Sequence, residues 1–194
     1  MVFRRKEEKQ KIKIAVSGVR QGVGATFFTI MIANYYGSVC GKKVAVIDLN
    51  KDNDYFFISR LFFGEEKRQY HIKRVAYFAG ADIDIVSDVL SDYECIVFDC
   101  GDNYEKYRTE ISLCDKKFLI GSLAAWKLIK TNMEFERQCV KGMNWKFLLE
   151  PSQKENLHLL SHNVKEKVYF IPQAISPFKL NGSQMGELEK IIGG

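Results

Sequence analysis

Three glycines, Gly18, Gly22 and Gly24, follow the apolar run Ile12 to Ser17 and precede Thr26 in a stretch almost free of charge. Strand, glycine loop and helix in that order aim backbone amides at an anion near the helix's positive end, so the chemistry is phosphate binding. Such loops usually close on Gly-Lys-Ser/Thr, whereas this one reads Gly24-Ala25-Thr26. The backbone cradle and a metal-facing hydroxyl are present, and the lysine is not. Two carboxylates, Asp48 and Asp99, end the apolar runs Val44 to Leu49 and Cys95 to Asp99. Strands of that kind belong in the centre of a parallel sheet, with ligands at their C-terminal edge. The alternative role for the pair is that of strand-end caps accepting backbone amides.

The elements that must position these residues read in order. Strand Ile12 to Ser17 and loop Gly18 to Gly24 lead into a helix from Ala25 to about Cys40, apolar around most of its circumference. After strand Val44 to Leu49, Tyr55 to Phe63 is an aromatic helix or irregular segment, and Glu65 to Arg74 is charged and exposed. Val75 to Phe78 is a short strand, a helix starts near Asp82, and strand Cys95 to Asp99 follows. Beyond it come helix Tyr104 to Leu113, strand Lys117 to Gly121, and helix Leu123 to Val140 with Trp126, Ile129, Met133 and Cys139 on roughly one face. Strand Trp145 to Leu149, helix Ser152 to His162, strand Val168 to Ile171 and a closing helix Gly186 to Ile192 complete the chain. Strands alternating with such helices predict an α/β, three-layer domain around a mostly parallel central sheet.

Length and charge fit one domain. The 194 residues, 46% hydrophobic, suffice for one well-filled core over residues 12–194, behind a basic leader over residues 1–11. Residues 1–13 hold six basic against two acidic side chains, so they carry four of the five net positive charges. Such a leader can approach nucleic acid or an anionic membrane, but a solvated, frayed terminus is the simpler reading. The nearly neutral remainder favours a protein partner over nucleic acid. No apolar signal segment and no membrane-spanning run is legible, which predicts a cytoplasmic chain. Met185, Leu188, Ile191 and Ile192 make one apolar stripe, read as a helix docking on its own domain and not on lipid. The five cysteines form no C-x-x-C pair and read as reduced and structural, and the three histidines lack a metal-site pattern.

The loop resembles the deviant P-loop of the ParA/MinD family of partitioning and positioning ATPases, whose pattern is Lys-Gly-Gly-x-Gly-Lys-Thr. On that pattern Arg20 stands at the leading signature lysine and Gln21 at a glycine. Gly22, Val23 and Gly24 keep the loop, Ala25 replaces the phosphate lysine, and Thr26 keeps the hydroxyl. The family's Asp-x-Asp strand end resembles VAVIDLNKD, with Asp48 kept and Asn50 at the second carboxylate. YECIVFDCGD resembles its later strand, placing Asp99 in the metal-facing position, and VYFIPQA resembles its last strand. The absent loop lysine is similar to the branch that places pilus, secretion or conjugation machinery. No match to the iron-protein branch's cysteine ligands is seen, nor to the tyrosine-rich tail of the polysaccharide kinases.

The resemblance implies a nucleotide site at Arg20 to Thr26, with ATP or ADP as ligand and Mg²⁺ at Thr26, Asp48 and Asp99. It also implies a homodimer across which Arg20 would reach, with an exposed loop arginine as the alternative. Asn50 can orient water but cannot take a proton at neutral pH. No adenine-contacting asparagine is evident, since KFLLEPS offers Glu150 and Pro151. Losing the lysine's charge-assisted bond costs about 1.5–3 kcal/mol, or about ten- to a hundred-fold in affinity. Two readings follow: a positioning or scaffolding protein with weak or vestigial nucleotide binding, or a Mg-dependent ATPase that uses Arg20 as its main phosphate contact.

Overall fold

The computed structural model describes residues 11–82 and 90–193. The basic leader up to residue 10 and most of the helix expected to start near Asp82 lie outside the described residues.

Eight strands form one sheet in the order β3-β4-β2-β5-β1-β6-β7-β8. They are β1 (Ile12–Gly18), β2 (Val44–Asp48), β3 (Gln69–Ile72), β4 (Val75–Phe78), β5 (Cys95–Asp99), β6 (Lys116–Gly121), β7 (Lys146–Leu149) and β8 (Val168–Phe170). All pairings are parallel except β3 with β4. The continuous apolar runs of β2 and β5 are buried at every position, as strands covered on both faces must be. The α/β architecture with a mostly parallel sheet is therefore the one the sequence predicts.

Helix α1 (Ala25–Asn34) packs on β1, β5 and β2. The chain moves from β1 through α1 toward one edge, and from β6 through α4 (Ala125–Lys141) to β7 toward the other. Right-handed crossovers in opposite directions put α1 and α4 on opposite faces, so the loop after β1 sits where the winding reverses. Parallel register brings the C-terminal ends of these strands to one edge, with Asp48 opposite Asp99 and Asp99 opposite Val16.

Several boundaries differ from the sequence reading, each for a local reason. Helix α1 gives way at Tyr35–Val39 to a wider π turn. Gln69–Ile72, expected to be merely charged and exposed, is an edge strand whose alternate residues Tyr70 and Ile72 are buried. Its pairing is held by Tyr70 stacked on Tyr77, ring centroids 5.3 Å apart. Tyr55–Phe63 lies within helix α2 (Asp54–Phe63). The expected helix Tyr104 to Leu113 shortens to α3 (Arg108–Ser112), and Ser152 to His162 is a 3₁₀ turn, Lys154–Leu159, before α5 (His162–Lys165).

The face of α4 carrying Trp126, Ile129 and Met133 points to solvent, with Trp126 72% and Ile129 75% exposed. Its inner face is instead Leu128, Thr131, Phe135 and Gln138. Thr131 and Phe135 fit because Gly121 beneath them has no side chain; a Cβ there would run into both. The last helix, α6 (Gly182–Gly193), buries Leu188, Ile191 and Ile192, and Lys116 and Lys146 donate to its final carbonyls at 2.9 Å. Its apolar stripe is used within the domain. Among the described residues no helix is long and apolar enough to cross a membrane.

Candidate nucleotide site

The loop between β1 and α1 is held from below before any ligand is considered. Gly18 N and Ser17 Oγ both donate to the Gly101 carbonyl at 2.7 Å, and Val19 N donates to Ile120 at 2.8 Å. Gly22 and Gly24 have φ of +72° and +94°, conformations that side chains resist and that turn the chain into α1. At Gly18 a Cβ would meet the Arg20 carbonyl at 2.9 Å, so the loop closes tightly over its own start. The first turn of α1 contains no acidic residue. Its amides, together with the loop's, make an anion cradle.

A cleft of about 230 Å³ lies over this cradle, lined by Arg20, Gln21, Gly22, Val23, Gly24, Ala25, Thr26 and Asn50 from the predicted set. Phe27, Asp52, Asp54, Gly101 and Asp102 complete it. The structure thus gathers the whole loop and Asn50 around one space. Three carboxylates and one guanidinium make a poor electrostatic match to a polyphosphate unless a cation accompanies it. Gln21 Nε2 donates to Asp52 Oδ1 at 2.8 Å, tying the loop to the segment after β2. The Asn50 side chain fills the space a Cβ on Gly101 would occupy.

Asp48 and Asp99 are buried beneath the cleft, and their hydrogen bonds separate their roles. Both oxygens of Asp48 accept backbone amides, Asn50 N at 3.0 Å and Gly80 N at 2.9 Å. Asp99 accepts Gly101 N at 3.1 Å and the Tyr55 hydroxyl at 2.9 Å, and the Thr26 side chain lies near enough to help hold its carboxyl down. Burial pushes the Asp48 carboxyl up to about 7, opposed by its two amide bonds. Burial likewise raises Asp99, against the lowering effects of Gly101, Tyr55 and Thr26. A divalent cation beside these groups would restore their ionised forms. Thr26 and Asp99 fit such an ion, being already side by side, whereas Asp48 is engaged as a cap on both oxygens.

Arg20 lines the cleft but directs Nη1 to the carbonyl of Trp126 at 3.3 Å, at the start of α4. Beside the loop, sharing Gly22, Val23, Gly24 and Phe27, opens a second hollow of about 420 Å³. Glu150, Pro151, Ile171, Pro172, Gln173 and Ala174 form its other wall, after the ends of β7 and β8. Its mixed apolar and polar wall suits a flat ring with a few hydrogen-bonding edges.

Three features escape a reading of the sequence. Tyr55 comes from α2 and is fully buried, its carbonyl in turn accepting the Tyr70 hydroxyl at 2.8 Å. Lys127 comes from α4, where its Nζ donates to the Gly22 carbonyl at 2.6 Å. The segment Ile171 to Ala174 reaches the loop only because β8 is parallel to β7. The aromatic content of Asp54–Phe63 is the sequence signal for Tyr55 and the VYFIPQA run is the signal for Ile171 to Ala174, whereas Lys127 has none.

No protein-family profile and no curated protein sequence matches the chain. Solved structures do. A plasmid partition protein from Borrelia burgdorferi bound to AMPPNP is similar, with TM-score 0.64 and 14% identity, covering 95% of this chain and 98% of that one. The MinC:MinD cell division protein complex of Aquifex aeolicus is similar at TM-score 0.61 and 19% identity, covering 95% and 96%. The septum site-determining protein MinD from Pyrococcus horikoshii, complexed with Mg-ADP, is similar at TM-score 0.60 and 17% identity, covering 94% of each. The chain therefore has the fold of ParA/MinD-type P-loop ATPases.

Proposed function

We propose that this protein is a ParA/MinD-like positioning or scaffolding protein that binds Mg-nucleotide weakly and turns it over slowly or not at all. The observation that carries this reading is a loop with its anion-cradling backbone intact and its lysine position occupied by Ala25. Thr26 and Asp99 would hold Mg²⁺, which would supply the positive charge that the cleft lacks. The larger hollow beside Gly24 would take the base. The site offers no carboxylate at the water-placing position, since Asn50 stands there.

Nucleotide complexes of structural neighbours, with AMPPNP and with Mg-ADP, support the choice of ligand. The MinC:MinD complex supports a protein partner as the target of a two-copy assembly. A partner of this kind also fits the nearly neutral charge of the sequence beyond residue 13. Calorimetry with ATP and ADP, with and without Mg²⁺, tests the ligand, and sedimentation beside it tests assembly. Tight ATP binding with turnover abolished by Asp99→Asn would defeat the proposal.

A second reading, a working ATPase, is favoured by one observation: Arg20 lines the cleft, and a guanidinium can grip phosphate oxygens with two bonds. Against it, Nη1 is committed to the Trp126 carbonyl. Arg20→Met distinguishes the two, because it would abolish turnover in the second reading and alter only assembly or weak binding in the first.

A further inference from the structure

The charge that Ala25 leaves out of the loop is present close by on another element. Lys127 is the third residue of α4, is half-buried, and sends Nζ across to the Gly22 carbonyl at 2.6 Å. The same Nζ lies 3.9 Å from the position a Cβ on Gly22 would take, so the ammonium rests against the rim of the loop. Gly22 belongs to both hollows, the one over the cradle and the one beside it. Lys127 therefore stands at their junction.

General electrostatics make this an uncomfortable place for a cation. The first turn of a 17-residue helix is its positive end, where an ammonium is disfavoured. Among the described residues no carboxylate forms an ion pair with Lys127, and its described hydrogen-bond partner is the Gly22 carbonyl. An ammonium has three donors, so two remain for a ligand. Arg20 makes the reciprocal contact, donating from the loop to the Trp126 carbonyl. Loop and helix clasp each other through two cations: Arg20 lines a space otherwise walled by Asp52, Asp54 and Asp102, and Lys127 rests against Gly22 at its rim. An anion entering there would relieve their mutual repulsion.

We propose that Lys127 is the phosphate-binding cation of this site, supplying from α4 the charge that an in-loop lysine would otherwise bring. The inference rests on the nucleotide-site reading and adds the residue that holds the phosphate. Lys127 keeps its bond to Gly22 in the free protein and shares its remaining donors with a phosphate oxygen when ligand binds. Its flexible stem lets the charge follow the ligand without movement of the helix.

The test uses the intact chain with a fluorescent ATP analogue and Mg²⁺, and separately with inorganic triphosphate. Lys127→Gln is the central variant, because an amide can still donate to the Gly22 carbonyl while the charge is gone. It should weaken both probes by about ten-fold or more. Lys127→Arg should restore most of the loss, and thermal melting without ligand should be unchanged in both. Equal affinity of Lys127→Gln and the parent for both probes overturns the proposal and leaves the nucleotide reading standing. Lys127-dependent binding of triphosphate with no preference for the nucleotide supports the proposal and defeats the nucleotide reading. Binding of neither probe by the parent chain overturns both.

Discussion

Restoring the missing charge inside the loop should strengthen nucleotide binding by an amount that follows from the site. Ala25 is the first residue of α1 and lines the cleft, so Ala25→Lys places an ammonium stem at the helix's entry, pointing into the space above Gly24. A charge-assisted hydrogen bond to phosphate is worth about 1.5–3 kcal/mol. The positive end of the helix subtracts roughly 0.5 kcal/mol, although Asp52, Asp54 and Asp102 around the same cleft offset part of that. The net gain of about 1–2.5 kcal/mol corresponds to roughly five- to seventy-fold tighter binding. Titration with a fluorescent ATP analogue in saturating Mg²⁺ reads this directly, with the same titration of triphosphate separating phosphate from base contributions. Turnover should remain slow, because Asn50 is unchanged. An affinity within about two-fold of the parent would refute the reasoning that Ala25 is what weakens the site.

The buried carboxylates give a pH test. The ordinary aspartate value is near ~4, and Asp48 in the folded chain is pushed up to about 7 by burial. Below the unfolded value both states hold the proton, and as pH rises toward 7 the unfolded chain releases it first, so folded stability falls. In EDTA, the stability of the parent relative to Asp48→Asn should therefore drop by about 2–4 kcal/mol between pH 4 and pH 8 in urea denaturation; a flat difference would contradict the burial argument. Tyr55→Phe removes a hydroxyl from the fully buried Asp99 and should destabilise the chain by about 1–3 kcal/mol, measured by the same denaturation. Leu188→Ala opens a hole under α6, where Leu188 is fully buried, and should cost about 2–5 kcal/mol; liposome flotation of the intact chain should meanwhile show no binding that depends on residues 185–194.

Much of this architecture is legible because it depends on local patterns. The five-residue apolar runs of β2 and β5 announce buried parallel strands, and the glycine spacing at Gly22 and Gly24 announces a loop with positive φ. What stays hidden depends on packing between distant segments. The alternation in Gln69–Ile72 is only four residues long and sits among charges, so the edge strand emerges only once Tyr70 stacks on Tyr77. On α4 the shared face of Trp126, Ile129 and Met133 does not reveal which side packs inward, because the absent side chain of Gly121 makes room for Thr131 and Phe135 on the inner face. The loop residues, Asn50 and the two aspartates, expected together from the sequence, do lie together at the strand ends. Lys127 and Tyr55 are not, since a lone lysine or tyrosine on a helix carries no spacing signal and acquires meaning only from the carbonyl or carboxylate it meets.

The central proposal is that the cradle accepts Mg-nucleotide weakly and turns it over slowly or not at all. Calorimetric titration of the intact chain with ATP in the presence and absence of Mg²⁺, with phosphate release followed on the same sample, tests it most directly. The account predicts a dissociation constant of about micromolar or weaker, dependent on Mg²⁺, with phosphate release no faster than in a sample of Asp99→Asn. Much tighter binding, accompanied by steady phosphate release that Asp99→Asn abolishes, would contradict it.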